Sequence, residues 1–114
     1  MTKLSDLLGG GGGGPTELGS SYATGTFSGS GTDVIVAAGA NTAGVELRTV
    51  ALSAGANVNR PISLSAGANK ILEAAGGSAS VVATNLLVPA GVEVSVSGGT
   101  GLDARTYYIT YEVL

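Results

Sequence analysis

Any catalytic chemistry in this chain falls to its carboxylates, of which there are eight: Asp6, Glu17, Asp33, Glu46, Glu73, Glu93, Asp103 and Glu112. Paired carboxylates can run acid–base chemistry without histidine. Here no two are close in sequence, and several occupy the polar positions of alternating stretches, where a strand turns its side chains to water. The chain has no histidine and no cysteine. That removes disulfides, thiolate and imidazole metal sites, and nucleophiles built on Cys or on a Ser–His pair. Calcium calls for clustered oxygen ligands, such as an Asp-x-Asp-x-Asp-Gly loop, and no such loop occurs. A site from Asp33 or Asp103 with backbone carbonyls has nothing in the sequence to support it. The run Gly9 to Gly14 satisfies Gly-x-Gly-x-x-Gly trivially, but no strand precedes it and no helix with an acidic partner follows. The expectation is a protein that is not an enzyme, with no catalytic residues, no cofactor and no metal.

The aromatic residues are Tyr22, Phe27, Tyr107, Tyr108 and Tyr111, and the last three fall in one terminal stretch. Such a ladder can stack sugars or bases. More often it closes a core with its hydroxyls at the rim. Tyr107, Tyr108 and Tyr111 are therefore expected in the core or at a subunit interface. The basic residues Lys3, Arg48, Arg60, Lys70 and Arg105 are dispersed and the net charge is −3. No basic stripe tracks a phosphate backbone, so no nucleic-acid partner is expected. Only 11% of residues are charged, against about 25% in a typical soluble domain. A surface so poor in charge suits coverage by a partner, and assembly is expected. No apolar run reaches the roughly 18 residues of a membrane helix, and no membrane partner is expected. Leu7 and Leu8 run straight into glycine, leaving no signal-peptide hydrophobic region; use without Sec export is expected.

Two units must position these residues. Residues 1–19 form an N-terminal arm with a polyglycine linker. Leu4, Leu7 and Leu8 share one face of a helical turn at i, i+3, i+4. A helix this short is marginal in water, so the three leucines are candidate docking residues for a partner. The six glycines that follow would span roughly 13 Å root-mean-square as a free linker. Residues 20–114 change to a period of two. Strand candidates are Ser21–Phe27, Asp33–Ala37, Val45–Leu52, Pro61–Ser65, Asn69–Glu73, Ser80–Val88 (with room for a bulge), Val92–Ser97 and Arg105–Leu114. Regular spacing of short strands between turn clusters predicts an all-β domain, a single antiparallel β-sandwich or jelly roll of about eight short strands. The tetrapeptide Ala-Gly-Ala-Asn recurs at 38–41, 54–57 and 66–69. Gly and Asn tolerate positive φ, so each copy is expected to make a tight turn between strands.

Four segments carry a likeness to a known type. Lys3-Leu-Ser-Asp-Leu-Leu8 runs into polyglycine, and a central strand reads Ala40-Asn-Thr-Ala-Gly-Val-Glu-Leu-Arg-Thr49. Val88-Pro-Ala-Gly-Val-Glu-Val94 leads towards a closing Tyr107-Tyr-Ile-Thr-Tyr-Glu-Val-Leu114. Together they resemble small β-sandwich virion proteins of tailed bacteriophages. These are head decoration (cement) proteins, or modules of tail and fibre proteins. The resemblance implies a structural protein that binds the outer head surface through the major capsid protein and stabilises the capsid. It implies a homo-oligomer, with a trimer favoured, located in a virion assembled in the host cytoplasm. The alternative it carries is a tail or fibre module, an adaptor in host attachment, partnered by another virion protein. No catalytic residues come with the resemblance.

Overall fold

Alternating small, β-branched and aromatic residues bounded by Gly, Asn, Ser and Pro favour strands joined by turns. The computed structural model describes residues 18–57, 60–99, 101 and 103–114. They hold eight strands: β1 (Ser21–Phe27), β2 (Gly31–Val36), β3 (Val45–Ser53), β4 (Ile62–Ala66), β5 (Asn69–Ala74), β6 (Ser80–Val88), β7 (Val94–Gly98) and β8 (Arg105–Val113). One 3-10 turn, Ala38–Ala40, lies between β2 and β3. The arm, with Leu4, Leu7 and Leu8, lies outside the described residues.

The strands make two antiparallel sheets, β1-β8-β3-β6 and β2-β7-β4-β5. Strand β1 pairs with β8, β2 with β7, β3 with β6 and β4 with β5. Those pairs fall alternately into the first and the second sheet. A long hairpin rolled into two layers produces this order, and it is the jelly roll. The fold is therefore the all-β sandwich that the period-two pattern predicts.

Between the layers lie Leu47, Val50, Leu52, Ile62, Leu64, Val94, Val96 and Ile109, all without exposure. Strict alternation would put Val45, Leu47, Thr49 and Ala51 on one face of β3. The register of β3 against β8 shifts between Leu47 and Thr49, and that bulge at Arg48 changes the parity. Val45 and Leu47 point inward before it, Val50 and Leu52 after it. Opposite, Asn85 of β6 takes φ 59, and the inward set changes from Val81 and Ala83 to Leu86 and Val88. A bulge re-aims every side chain beyond it. Close approach of the layers is bought by Gly98, where a Cβ would sit 2.8 Å from the Phe27 side chain.

The recurring tetrapeptide does three different jobs, so the expectation of one shared turn is corrected. Only 66–69 makes a tight hairpin, with Gly67 at φ 61. In 38–41 the asparagine is buried and its φ is −96. Asn41 Nδ2 donates to the Pro89 and Val92 carbonyls at 2.7 and 2.9 Å, and Oδ1 accepts from Gly44 N–H at 2.8 Å. This amide ties two loops at one end of the sandwich. In 54–57, Asn57 grips Asp103 instead. The local sequence offers the asparagine, and the tertiary neighbour decides its use.

Candidate functional site

The carboxylates go to separate, local tasks. Asp33 on β2 accepts the Tyr107 hydroxyl proton at 2.8 Å. Glu73 on β5 accepts from Lys70 Nζ at 2.6 Å and from Ser63 Oγ at 3.1 Å. The Lys70 ammonium, with help from Ser63, holds the Glu73 carboxyl below the usual range. Asp103 Oδ2 accepts from the backbone N–H of Asn57 at 2.9 Å and its side-chain amide at 2.8 Å. Those bonds, the backbone one foremost, hold Asp103 below the usual carboxylate range. Among the described residues no group of three or more Asp and Glu converges on a possible metal position.

One carboxylate pair is brought together that the sequence does not announce. Glu46 and Glu112 are direct cross-strand partners on β3 and β8. Like charges placed so are destabilising. Arg48, lifted out by the bulge, pairs with Glu46 at 3.4 Å, and its charge also favours ionised Glu112. Ser20 donates to Glu112 from both its hydroxyl and its backbone N–H. These Ser20 bonds push the Glu112 carboxyl down. The cluster acts as a clasp that fastens the chain before β1 onto β8.

Arg105 opens β8 and is fully buried. It shares the inward parity of Tyr107 and Ile109. Its Nε donates to the Asp103 carbonyl at 3.0 Å. One terminal nitrogen donates to Pro61 and Gly99, the other to Gly29 at 3.1 Å and Gly101 at 2.9 Å. A planar fork of five N–H donors suits such a ring of carbonyls. The guanidinium thus joins the β1–β2, β3–β4 and β7–β8 loops at one end of the sandwich. It is a structural cation that composition and dispersal did not single out.

The tyrosines divide by parity. Tyr107 is buried, its ring centroid 6.0 Å from that of Phe27. Burial first, and then Asp33, push its phenol up to about 12. Tyr111 is half-buried and packs on the same core. Tyr107 is therefore a core residue and not a surface that a second subunit can reach. Tyr108 points outward and is 60% exposed.

Among the described residues, Tyr108 belongs to an array of exposed apolar side chains on the first sheet. Cross-strand pairing aligns Thr24, Tyr108, Ala51 and Val82 in one row over the outer face of the first sheet. The next row is Tyr22, Thr110, Thr49 and Thr84. Tyr22 is 75% exposed, and Val82 and Leu87 each 67%. A shallow depression of about 240 Å³ lies at one corner, lined by Leu18, Gly19, Ser20, Ser21, Tyr22 and Thr110. Charge is confined to the Glu46–Arg48–Glu112 end. The second sheet bonds Thr32 to Ser97 at 3.1 Å, carries the Lys70–Glu73 pair, and exposes two apolar side chains, Val34 on β2 and Ile71 on β5. The first sheet's outer face, neutral and part apolar, is the candidate interaction site. Sequence reasoning named Tyr108 for it but missed Tyr22, Val82 and Leu87. The signal was present as outward parity on β1 and β6, hidden on β6 by the switch at Asn85.

No protein-family model matches the chain, and no curated protein matches it.

Proposed function

We propose that the chain is a structural protein of a virus particle: a decoration or cement protein that docks on the outer head surface and stiffens it. The observation that carries the reading is the outer face of β1-β8-β3-β6. It offers exposed apolar and hydroxyl groups on a rigid sheet, with its charges gathered at one end. Aromatic and aliphatic side chains on such a face gain by leaving water. Thr84, exposed on the same face, adds a hydroxyl for polar groups of the partner. The sequence resemblance to bacteriophage head proteins supports the same reading, as does the low overall charge.

Residues 1–19 add a second point of attachment. A tethered second site acts at an effective concentration in the millimolar range, raising avidity by about 10²–10⁴. Leu4, Leu7 and Leu8 are the residues proposed to dock, on the major capsid protein or a neighbouring subunit.

The test is a count. Quantitative mass spectrometry of purified particles should find the chain in numbers comparable to the major capsid protein. A handful of copies per particle would sink the cement reading and favour a tail or fibre adaptor. Removal of residues 1–14 should leave the body folded and lower its occupancy on particles.

A further inference from the structure

Each sheet of a sandwich ends in two edge strands whose unpaired N–H and C=O groups invite another strand, and proteins blunt such edges with bulges, charges or prolines. Three of the four edges here are blunted. On β2 the register slips between Val34 and Val36, and the strand carries Asp33. On β5 it slips opposite Leu64 and Ser65, and the strand carries Lys70 and Glu73. On β6, Asn85 sits at φ 59 in the middle of the strand.

Strand β1 has none of these devices. Its seven residues, Ser-Tyr-Ala-Thr-Gly-Thr-Phe, contain no charge and no proline. Its register with β8 runs unbroken from Ser21↔Tyr111 to Phe27↔Arg105. The chain entering it is held at Ser20 by Glu112, which keeps the strand's start on the sheet.

We propose that β1 is the pairing edge of a twofold dimer, two copies of this chain joining β1 to β1 in antiparallel fashion. The strand is self-complementary about Thr24. With the axis there, all seven residues pair, Thr24 meets its own copy, and Tyr22 meets Thr26 of the second copy. Outward residues meet outward residues, so both outer faces fall on one continuous eight-stranded sheet. A twofold contact uses the same patch twice, and a neutral strand does so without like-charge repulsion. A sequence of mixed charge would make a heterologous partner the better fit, and β1 has no charge to direct one. The surface that results doubles the candidate interaction face and places two N-terminal arms on one assembly. A dimer differs from the trimer expected from the resemblance. The inference concerns purified protein in solution and does not rest on the virion reading, which is decided on particles.

The experiment takes the full chain by light scattering after size exclusion across a concentration series. The expected mass is twice the 11.0 kDa of the chain, with β1 amides protected from hydrogen exchange in a concentration-dependent way. Thr24 is exposed on the outer face, so Thr24→Lys and Thr24→Asp should keep the native circular dichroism. Each variant alone should run as a monomer, because like charges then meet across the axis. An equimolar mixture of the two should recover the dimer. A monomer at every concentration, a trimer, or a Thr24→Lys protein still at the wild-type mass would overturn the proposal. So would β1 protection that is independent of concentration and vanishes when residues 1–14 are removed, which would mean that the chain's own arm holds the edge.

Discussion

Arg105 keeps a full positive charge away from water with backbone carbonyls as its direct hydrogen-bond partners. Truncating it leaves those carbonyls facing one another without a donor. Arg105→Ala should cost several kcal/mol, since each buried carbonyl left without its donor costs about 1–3 kcal/mol. Urea unfolding should show this as a lower midpoint. Arg105→Lys should recover only part of the loss, since an ammonium cannot reproduce the planar fork. Tyr107 is a gentler case. Tyr107→Phe deletes one hydrogen bond to Asp33 and should cost about 1 kcal/mol. The phenol is raised from 10.0 to about 12 in the folded chain. Its contribution is therefore complete below pH 10 and fades as pH rises towards 12. Absorbance titration should show the Tyr107 phenol ionising near the upper value in the wild type, and that contribution should be missing in Tyr107→Phe.

At the scale of elements, the central pair β3–β8 carries the sandwich. Ile109 has no exposure and faces the opposite sheet, so Ile109→Ala should cost about 2–5 kcal/mol, read from thermal or denaturant unfolding. The strands themselves were legible. Period-two runs, a β-branched run at Asp33–Ala37 and turn signals around Asn69–Glu73 located all eight. Side-chain direction was legible only where alternation is unbroken. The bulge at Arg48 sends Val50 and Leu52 inward although strict counting turns them out, because a bulge depends on the partner strand. Parity also groups residues without saying which group faces the core. On β8 both groups contain tyrosine, so Tyr107 and Tyr108 could not be told apart. Arg105 shared the parity of Tyr107 and Ile109, but only the loops of other strands supply the carbonyls that make its burial tolerable.

For the whole molecule, two clasps share one electrostatic sign. Ser20 bonds lower Glu112, and Asn57 bonds lower Asp103. A carboxylate lowered by folding stabilises above its unfolded value, and that support is lost as pH falls through the folded value. Acidification should therefore loosen the lead into β1 and the 54–57 loop first. Hydrogen exchange at acid pH, below the ordinary carboxylate values of 4.5 for Glu112 and 3.8 for Asp103, should show Ser20 and Asn57 losing protection while Val50 and Ile109 keep theirs. Equal loss everywhere would mean that the clasps are not independent of the core. Val82 and Leu87 on the candidate interaction face carry no ionisable group, so its apolar character should persist where the clasps fail.

The rolled hairpin has a consequence for how the molecule comes into being. Strand β1 finds its neighbour only in β8, between 78 and 90 positions later in the chain. During synthesis β1 must wait, and the first sheet closes only when Arg105 to Val113 arrive. Folds dominated by such distant pairings form slowly, over milliseconds to seconds, and their nascent chains expose apolar strands meanwhile. A chain that stops short of β8 leaves the first sheet without its second strand, and β3 without one of its two neighbours. Translation through β8 thus acts as a checkpoint for closure of the first sheet.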